Sequence, residues 1–384
     1  MSSQRTFDVA VIGAGVFGAW TAWHLAKRGK KVVLMDAYGA ANALASSGGE
    51  SRIIRMGYGA DELYTLWSQQ SLGQWKRLFA AVKQPLFHET GVLWLAGEDD
   101  SQLRRTATAL RHCNVRFEEF DRVKLEAKYP QVSFEDVKKG IFEPGSGVLM
   151  ARRAVEAVVE DAVRRGVEYR GAQIVKPMGS GRQEQIATSQ GDWIGAEHFV
   201  FACGAWLGKV FPEILGERIF PTRQEVFFFD VPLDDTRFAP PALPTWLFQE
   251  DLFYGMPELE GKGVKIAYDG HGEPVDPDTQ SRVATPVARE RARAYLERRF
   301  PALKGAPMLD TRVCQYENSS NGDFLIDRHP GMENVWFVGG GSGHGFKHGP
   351  ALGEYVTRRI LDRAEPERRF ALATKAKVQN RAVY

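Results

Sequence analysis

Three cysteines in 384 residues, Cys113, Cys203 and Cys314, are too few and too scattered for a disulfide framework or a zinc site, and no metal site is expected. Neither sign of charge dominates. Lys plus Arg total 50 against 48 for Asp plus Glu, which gives no electrostatic ground for binding nucleic acid or an anionic membrane. No apolar run approaches the roughly 20 residues that span a bilayer. The opening MSSQRTFDVAVIG enters a core-type strand within seven residues, leaving no room for a signal peptide. Repeats and low-complexity tracts are missing as well. These absences point to a soluble cytoplasmic protein; small-molecule partners and a monomer are the accompanying expectations. The length lets the chain bury a large core and favours two domains over one.

What is present starts at once. The strand-like Phe7-Asp8-Val9-Ala10-Val11-Ile12 runs into Gly13-Ala14-Gly15-Val16-Phe17-Gly18. An apolar helix-like stretch follows to Lys27, and a second strand from Lys31 ends on Asp36. This is the βαβ dinucleotide fingerprint in its proper context. Gly13 permits the tight turn, Gly15 lets backbone N–H groups approach a pyrophosphate at the helix N-terminus, and Gly18 lets helix and strand pack closely. Asp36 stands where a carboxylate accepts hydrogen bonds from an adenosine ribose.

A second strand-to-glycine passage lies near the other end: Val335-Trp336-Phe337-Val338, then Gly339-Gly340-Gly341-Ser342-Gly343-His344-Gly345-Phe346-Lys347-His348-Gly349-Pro350. Such glycines let the backbone sit close to a flat or charged ligand, and the helix beginning near Pro350 favours partial negative charge. A nicotinamide enzyme has no evident need of a second cradle so far along the chain. FAD does, because it reaches from an adenine site to an isoalloxazine ring at a domain boundary.

Helical periodicity appears at roughly 60–82, 151–166, 285–300 and 350–363. Strand-like runs include 92–95, 198–202, 225–229 and 264–268, and Gly204-Ala205-Trp206 is read as part of a strand returning to the first sheet. Pro240-Pro241 and 274–277 read as loops. The expected class is α/β with an α+β second domain: a Rossmann-like FAD-binding domain (1–85, 146–218 and 314–384) interleaved with a mostly antiparallel substrate domain (86–145 and 219–313).

With both glycine segments in view, the chain resembles the D-amino-acid-oxidase-type flavoproteins. It is most similar to the branch holding monomeric sarcosine oxidase, N-methyltryptophan oxidase and pipecolate oxidase. The resemblance runs nearly end to end through GAGVFG, the segment Ser46 to Arg55 (SSGGESRIIR), the run VKIAY holding Lys265, Cys314-Gln315-Tyr316, DFLIDRHP and GSGHGFK. It implies oxidation of a secondary-amine amino acid to an imine by hydride transfer to FAD, with O2 reduced to H2O2.

The resemblance also implies residue roles. Cys314 would carry a thioether to the flavin 8α-methyl, a reaction that needs positive charge near the thiol. Gly13, Gly15, Val16, Phe17, Gly18, Asp36, Ser46, Ser47, Arg52, Gly341, Gly343, His344, Gly345, Phe346 and Lys347 would line the cofactor. Arg52 would stand near the flavin, while Arg55 and Lys347 would grip the substrate carboxylate. Lys265 would sit over the flavin and lower the barrier to forming superoxide from O2. Tyr254 and Tyr316 would border the substrate cavity.

Two departures from the family pattern bear on the substrate. Gly48 stands where relatives with small substrates carry histidine, which should enlarge or reshape the cavity. Asp269 replaces a second histidine, and a carboxylate there could favour a substrate with a further cationic or hydroxylated end, or could point away. The rival readings are an FAD-dependent dehydrogenase passing electrons to a quinone or carrier protein, a flavin-bound sensor without turnover, and an NAD-dependent dehydrogenase.

Overall fold

The computed structural model describes residues 6–380; the outermost parts of the expected first domain, 1–5 and 381–384, lie outside them. A seven-stranded sheet is built on the opening strand Thr6–Ile12, which pairs in parallel with Val32–Asp36 on one side and Trp193–Phe201 on the other. Val9, Ala10 and Val11 are wholly buried, as an unbroken apolar run requires in a strand covered on both faces. Trp193–Phe201 pairs in parallel with Val335–Gly339 in turn. Both glycine-rich passages therefore leave the same sheet at the same edge, outside the carboxyl ends of parallel strands, where open α/β sheets bind ligands.

The helix Val16–Lys27 packs against Ala151–Arg164 and Gly349–Leu361. Its crossing with the latter is close, because a Cβ on Gly353 would stand 2.6 Å from the Trp20 carbonyl carbon. The second sheet has eight strands, with Ile219–Phe229 pairing antiparallel along Met308–Ser319 and then with Val264–Tyr268. Its only parallel pair joins Thr245–Phe248 to Val92–Ala96 among the described residues. Leu93, Phe229, Trp246, Ile266 and Leu296 share its separate core. A small third sheet of Arg52–Ile54, Phe87–His88 and Gly147–Leu149 carries the arginine segment.

Three details differ from expectation. Gly204–Trp206 is a 3-10 turn rather than strand: Trp193–Phe201 has already ended, and Gly204 turns the chain with φ +56°. Met308–Ser319 is one continuous strand of the second sheet, so the boundary expected at 313/314 falls inside it. The helix Ser101–His112 was not expected; only Leu103, Ala107, Ala109 and Leu110 break its polar sequence. No helix of the described residues is long and apolar enough to cross a membrane.

Candidate active site

A cavity of about 390 Å³ opens at the shared carboxyl edge of the first sheet. Asp36 and Tyr38 line one end of it, and Cys314, Tyr316 and Phe346 line the other. Gly13 holds φ +103°, and a Cβ there would stand 2.2 Å from the Ala202 carbonyl oxygen. Gly18 does not line the cavity but packs on the turn, where a Cβ would stand 1.8 Å from the Gly13 oxygen. Ala14 N–H donates to Asp36 Oδ2 at 2.8 Å, and Val16 N–H donates to Ser47 Oγ at 3.1 Å. Gly15, Val16, Phe17, Ser46, Ser47, Arg52, Gly341, Gly343 and Gly345 lie on the cavity wall, whereas His344 and Lys347 do not. An elongated cleft with glycines at both cradles, a helix N-terminus and a carboxylate at the far end fits a dinucleotide.

A second, smaller cavity of about 70 Å³ adjoins the first and shares Arg52, Cys314, Tyr316, Gly343 and Phe346 with it. Cys314 is half-buried, with Sγ 3.6 Å from Arg52 Nη2. The same guanidinium is held by the carbonyls of Ser46 and Ser51, each at 2.8 Å.

Arg55, Lys347, His344, Tyr254, Asp269 and Tyr316 line the smaller cavity together, although they come from five separate segments. The Arg55 guanidinium lies between two aromatic faces, 4.4 Å from the Tyr58 centroid and 4.6 Å from that of Trp94, and donates to the Gly57 carbonyl. Lys347 Nζ donates to Tyr58 Oη at 2.8 Å and to the His344 carbonyl at 3.0 Å. Burial and then the nearby Arg55 charge hold the Lys347 ammonium well below the ordinary lysine range, while Asp269 and Glu143 act the other way. Tyr316 Oη donates to Asp269 Oδ1 at 2.6 Å. Burial raises the Asp269 carboxyl, a shift opposed by Tyr316, Arg55 and Lys347.

Besides Gly18, two expected site residues line neither cavity. Gly48 is buried with a Cβ position 1.9 Å from the Asn42 carbonyl oxygen, so its missing side chain leaves no space for substrate. Lys265 is 1% exposed and donates to Ser51 at its carbonyl (2.9 Å) and hydroxyl (3.2 Å). Burial, and then Arg52, push its ammonium well below the ordinary range.

Other residues of the site were missed from sequence. Glu317 lines the cofactor cleft; burial pushes its carboxyl up to about 7 against the pull of the Gly340 and Gly341 N–H groups. A loop of the second sheet straps the cleft: Asp278 accepts from Trp206 Nε1 at 2.6 Å and pairs with Lys209, while Arg282 donates to Gln315 at 2.8 Å. Tyr58, which links Arg55 to Lys347, carried no local motif.

Residues 8–359 match the family described as DAO, FAD dependent oxidoreductase. The chain is 31% identical over 360 residues to a monomeric sarcosine oxidase of Bacillus sp. (strain NS-129), with 92% of each chain covered. It is 28% identical over 364 residues to an N-methyl-L-tryptophan oxidase of Salmonella arizonae, covering 93% of this chain and 95% of that one. Among solved structures, an L-proline dehydrogenase from P. horikoshii superposes with a TM-score of 0.84 at 20% identity, over 96% of this chain and 97% of that one, a likeness of fold.

Proposed function

The chain belongs to the FAD dependent oxidoreductase family, and from that premise we propose that it oxidises a secondary-amine amino acid, N-methylated or cyclic, to an imine, with O2 as the electron acceptor. The observation that carries this reading is the convergence of Arg55 and Lys347 on a small cavity that opens into the dinucleotide cleft beside Cys314. Bound FAD supplies a two-electron acceptor there, and Cys314 is its proposed covalent anchor.

The chain's own residues account for the rest. Arg55 and Lys347 bind the substrate carboxylate with charge-assisted hydrogen bonds and so orient the carbon beside it. Tyr254, Met256 and Phe346 wall the cavity and exclude water. Desolvation disfavours the substrate ammonium, so the substrate binds as the neutral amine, its proton left with bulk solvent, and its lone pair can assist C–H cleavage. Asp269, held by Tyr316, offers an acceptor to an N–H or O–H of the substrate, and this favours a hydrogen-bonding substituent beyond the amino acid core. The first sheet with its helices is the cofactor domain, the second sheet is the substrate domain, and the working unit is a monomer in the cytoplasm.

The test is a peroxide assay across N-methyl amino acids, cyclic imino acids and primary amino acids. Peroxide with the first two classes only supports the reading, and turnover of primary amino acids alone contradicts its secondary-amine part. A second reading replaces O2 by a quinone or carrier protein. It is favoured by Lys265, whose ammonium is occupied by Ser51 and disfavoured by burial instead of standing open beside the ring site. Substrate reduction without air, followed by admission of air, separates the two.

A further inference from the structure

Glu143 ends the strand Lys139–Glu143 and is fully buried, yet it lines neither cavity. Its carboxylate accepts four hydrogen bonds. Met56 N–H donates at 2.7 Å and the Ser146 hydroxyl at 2.6 Å, both to Oε2. Gly57 N–H donates at 2.9 Å and the Trp94 indole N–H at 2.6 Å, both to Oε1. A carboxylate stripped of water is tolerated only with such a set of donors.

Two of those donors belong to the groups that hold Arg55. Gly57 gives its N–H to Glu143 while its carbonyl, in the next peptide unit, accepts from the Arg55 guanidinium. Trp94 gives its N–H to Glu143 while its ring lies 4.6 Å from the same guanidinium. The packing is tight: a Cβ on Gly57 would stand 2.9 Å from both Glu143 Oε1 and Trp94 Cε2. Arg55 itself makes no ion pair with Glu143 in this arrangement; it leans on what Glu143 fixes. The buried negative charge also helps Lys347 keep its proton.

We propose that Glu143 is the positioning residue of the carboxylate clamp: it anchors the Met56–Gly57 peptides and the Trp94 indole so that Arg55 is set, before any ligand arrives, to bind a monoanionic carboxylate. This rests on the reading of Arg55 and Lys347 as that clamp. Glutamine in place of Glu143 keeps the shape but turns an NH2 group toward one of the two donor pairs. Facing the Oε1 pair, it leaves both Gly57 N–H and Trp94 N–H, the supports of Arg55, without their acceptor; facing the Oε2 pair, it opposes the Met56 N–H that fixes the same loop.

The experiment measures binding of acetate and of its uncharged isostere acetamide to the flavin-loaded enzyme, followed by the visible flavin band. In wild type, acetate binds more tightly than acetamide. In Glu143→Gln the acetate dissociation constant rises tenfold or more, while acetamide binding and the unperturbed flavin spectrum stay within twofold. Ser146→Ala removes one of the four donors and should weaken acetate threefold or more; it decides the matter if Glu143→Gln does not fold. Unchanged acetate binding in the folded variant overturns the proposal, as does an equal loss of acetate and acetamide, which marks general damage. A wild type that does not prefer acetate overturns the clamp itself, and this inference with it.

Discussion

The Arg55 guanidinium lies 4.4 Å from the centroid of the Tyr58 ring, and the hydroxyl of that ring accepts a hydrogen bond from Lys347 at 2.8 Å. One phenol thus fixes the spacing of two buried cations from segments nearly 300 residues apart. Arg55 is 5% exposed and Lys347 4%, so both rely mainly on protein partners for their hydrogen bonds.

The clamp predicts a specific pattern of losses. Breaking one charge-assisted pair in a desolvated site costs about 2–5 kcal/mol, so Arg55→Met or Lys347→Met should weaken the best amino acid by roughly thirtyfold or more. The double variant should lose less than the sum, because both cations act on one group. Apparent affinities of the three variants and wild type give the comparison.

A pH dependence follows from the same burial. Lys347 is held well below its ordinary range, so its charge is present at low pH and lost as pH rises through that lowered value. Asp269 has a raised pKa and gains negative charge over its own, likewise upward, range. Both changes weaken carboxylate binding as pH rises. Binding should therefore take up protons, read by calorimetry in buffers of different ionisation heat. Lys347→Arg should flatten the Lys347 part of the profile and Asp269→Asn the other part.

Much of this site was legible along the chain because it is local. Gly13, Gly15, Gly18 and Asp36 sit within one βαβ unit, and the glycines after Val338 announce themselves the same way. Contacts across the fold were not legible. Nothing near Tyr58 or Glu143 in sequence tells that one links two cations and the other anchors the loop between them. Glu317, next to Tyr316 in the strand, belongs to no motif, yet it is 6% exposed and lines the cleft. Gly48 misled because an absent ring was read as enlarging or reshaping the cavity, whereas the Asn42 backbone fills that space. The helix Ser101–His112 was missed because its apolar stripe is narrow and its other positions are rich in arginine and threonine.

Cys314 Sγ stands 3.6 Å from Arg52 Nη2, on the wall shared by the two cavities. The flavin is expected to stay with the polypeptide after acid precipitation and to appear as added mass on the Cys314 peptide. Cys314→Ala should keep the fold and release the flavin into the supernatant. Free FAD from the wild-type protein would falsify covalent attachment.

Lys265 separates the two half-reactions. If it acts on oxygen, Lys265→Met should slow reoxidation of the reduced flavin by roughly a hundredfold, the equivalent of a few kcal/mol of lost electrostatic stabilisation. Anaerobic reduction by substrate should change far less. Equal effects on both steps, in stopped-flow absorbance, would show that its role is to hold Ser51 and not to serve oxygen.

The most direct test of an amino-acid-oxidising flavoenzyme is anaerobic stopped-flow bleaching of the flavin band by the best secondary-amine amino acid, beside the same amine without its carboxylate. The expected result is full, saturable bleaching by the acid and, with the decarboxylated amine, at least thirtyfold weaker apparent binding. Equal bleaching by both, or none by any amino acid of the panel, would contradict it.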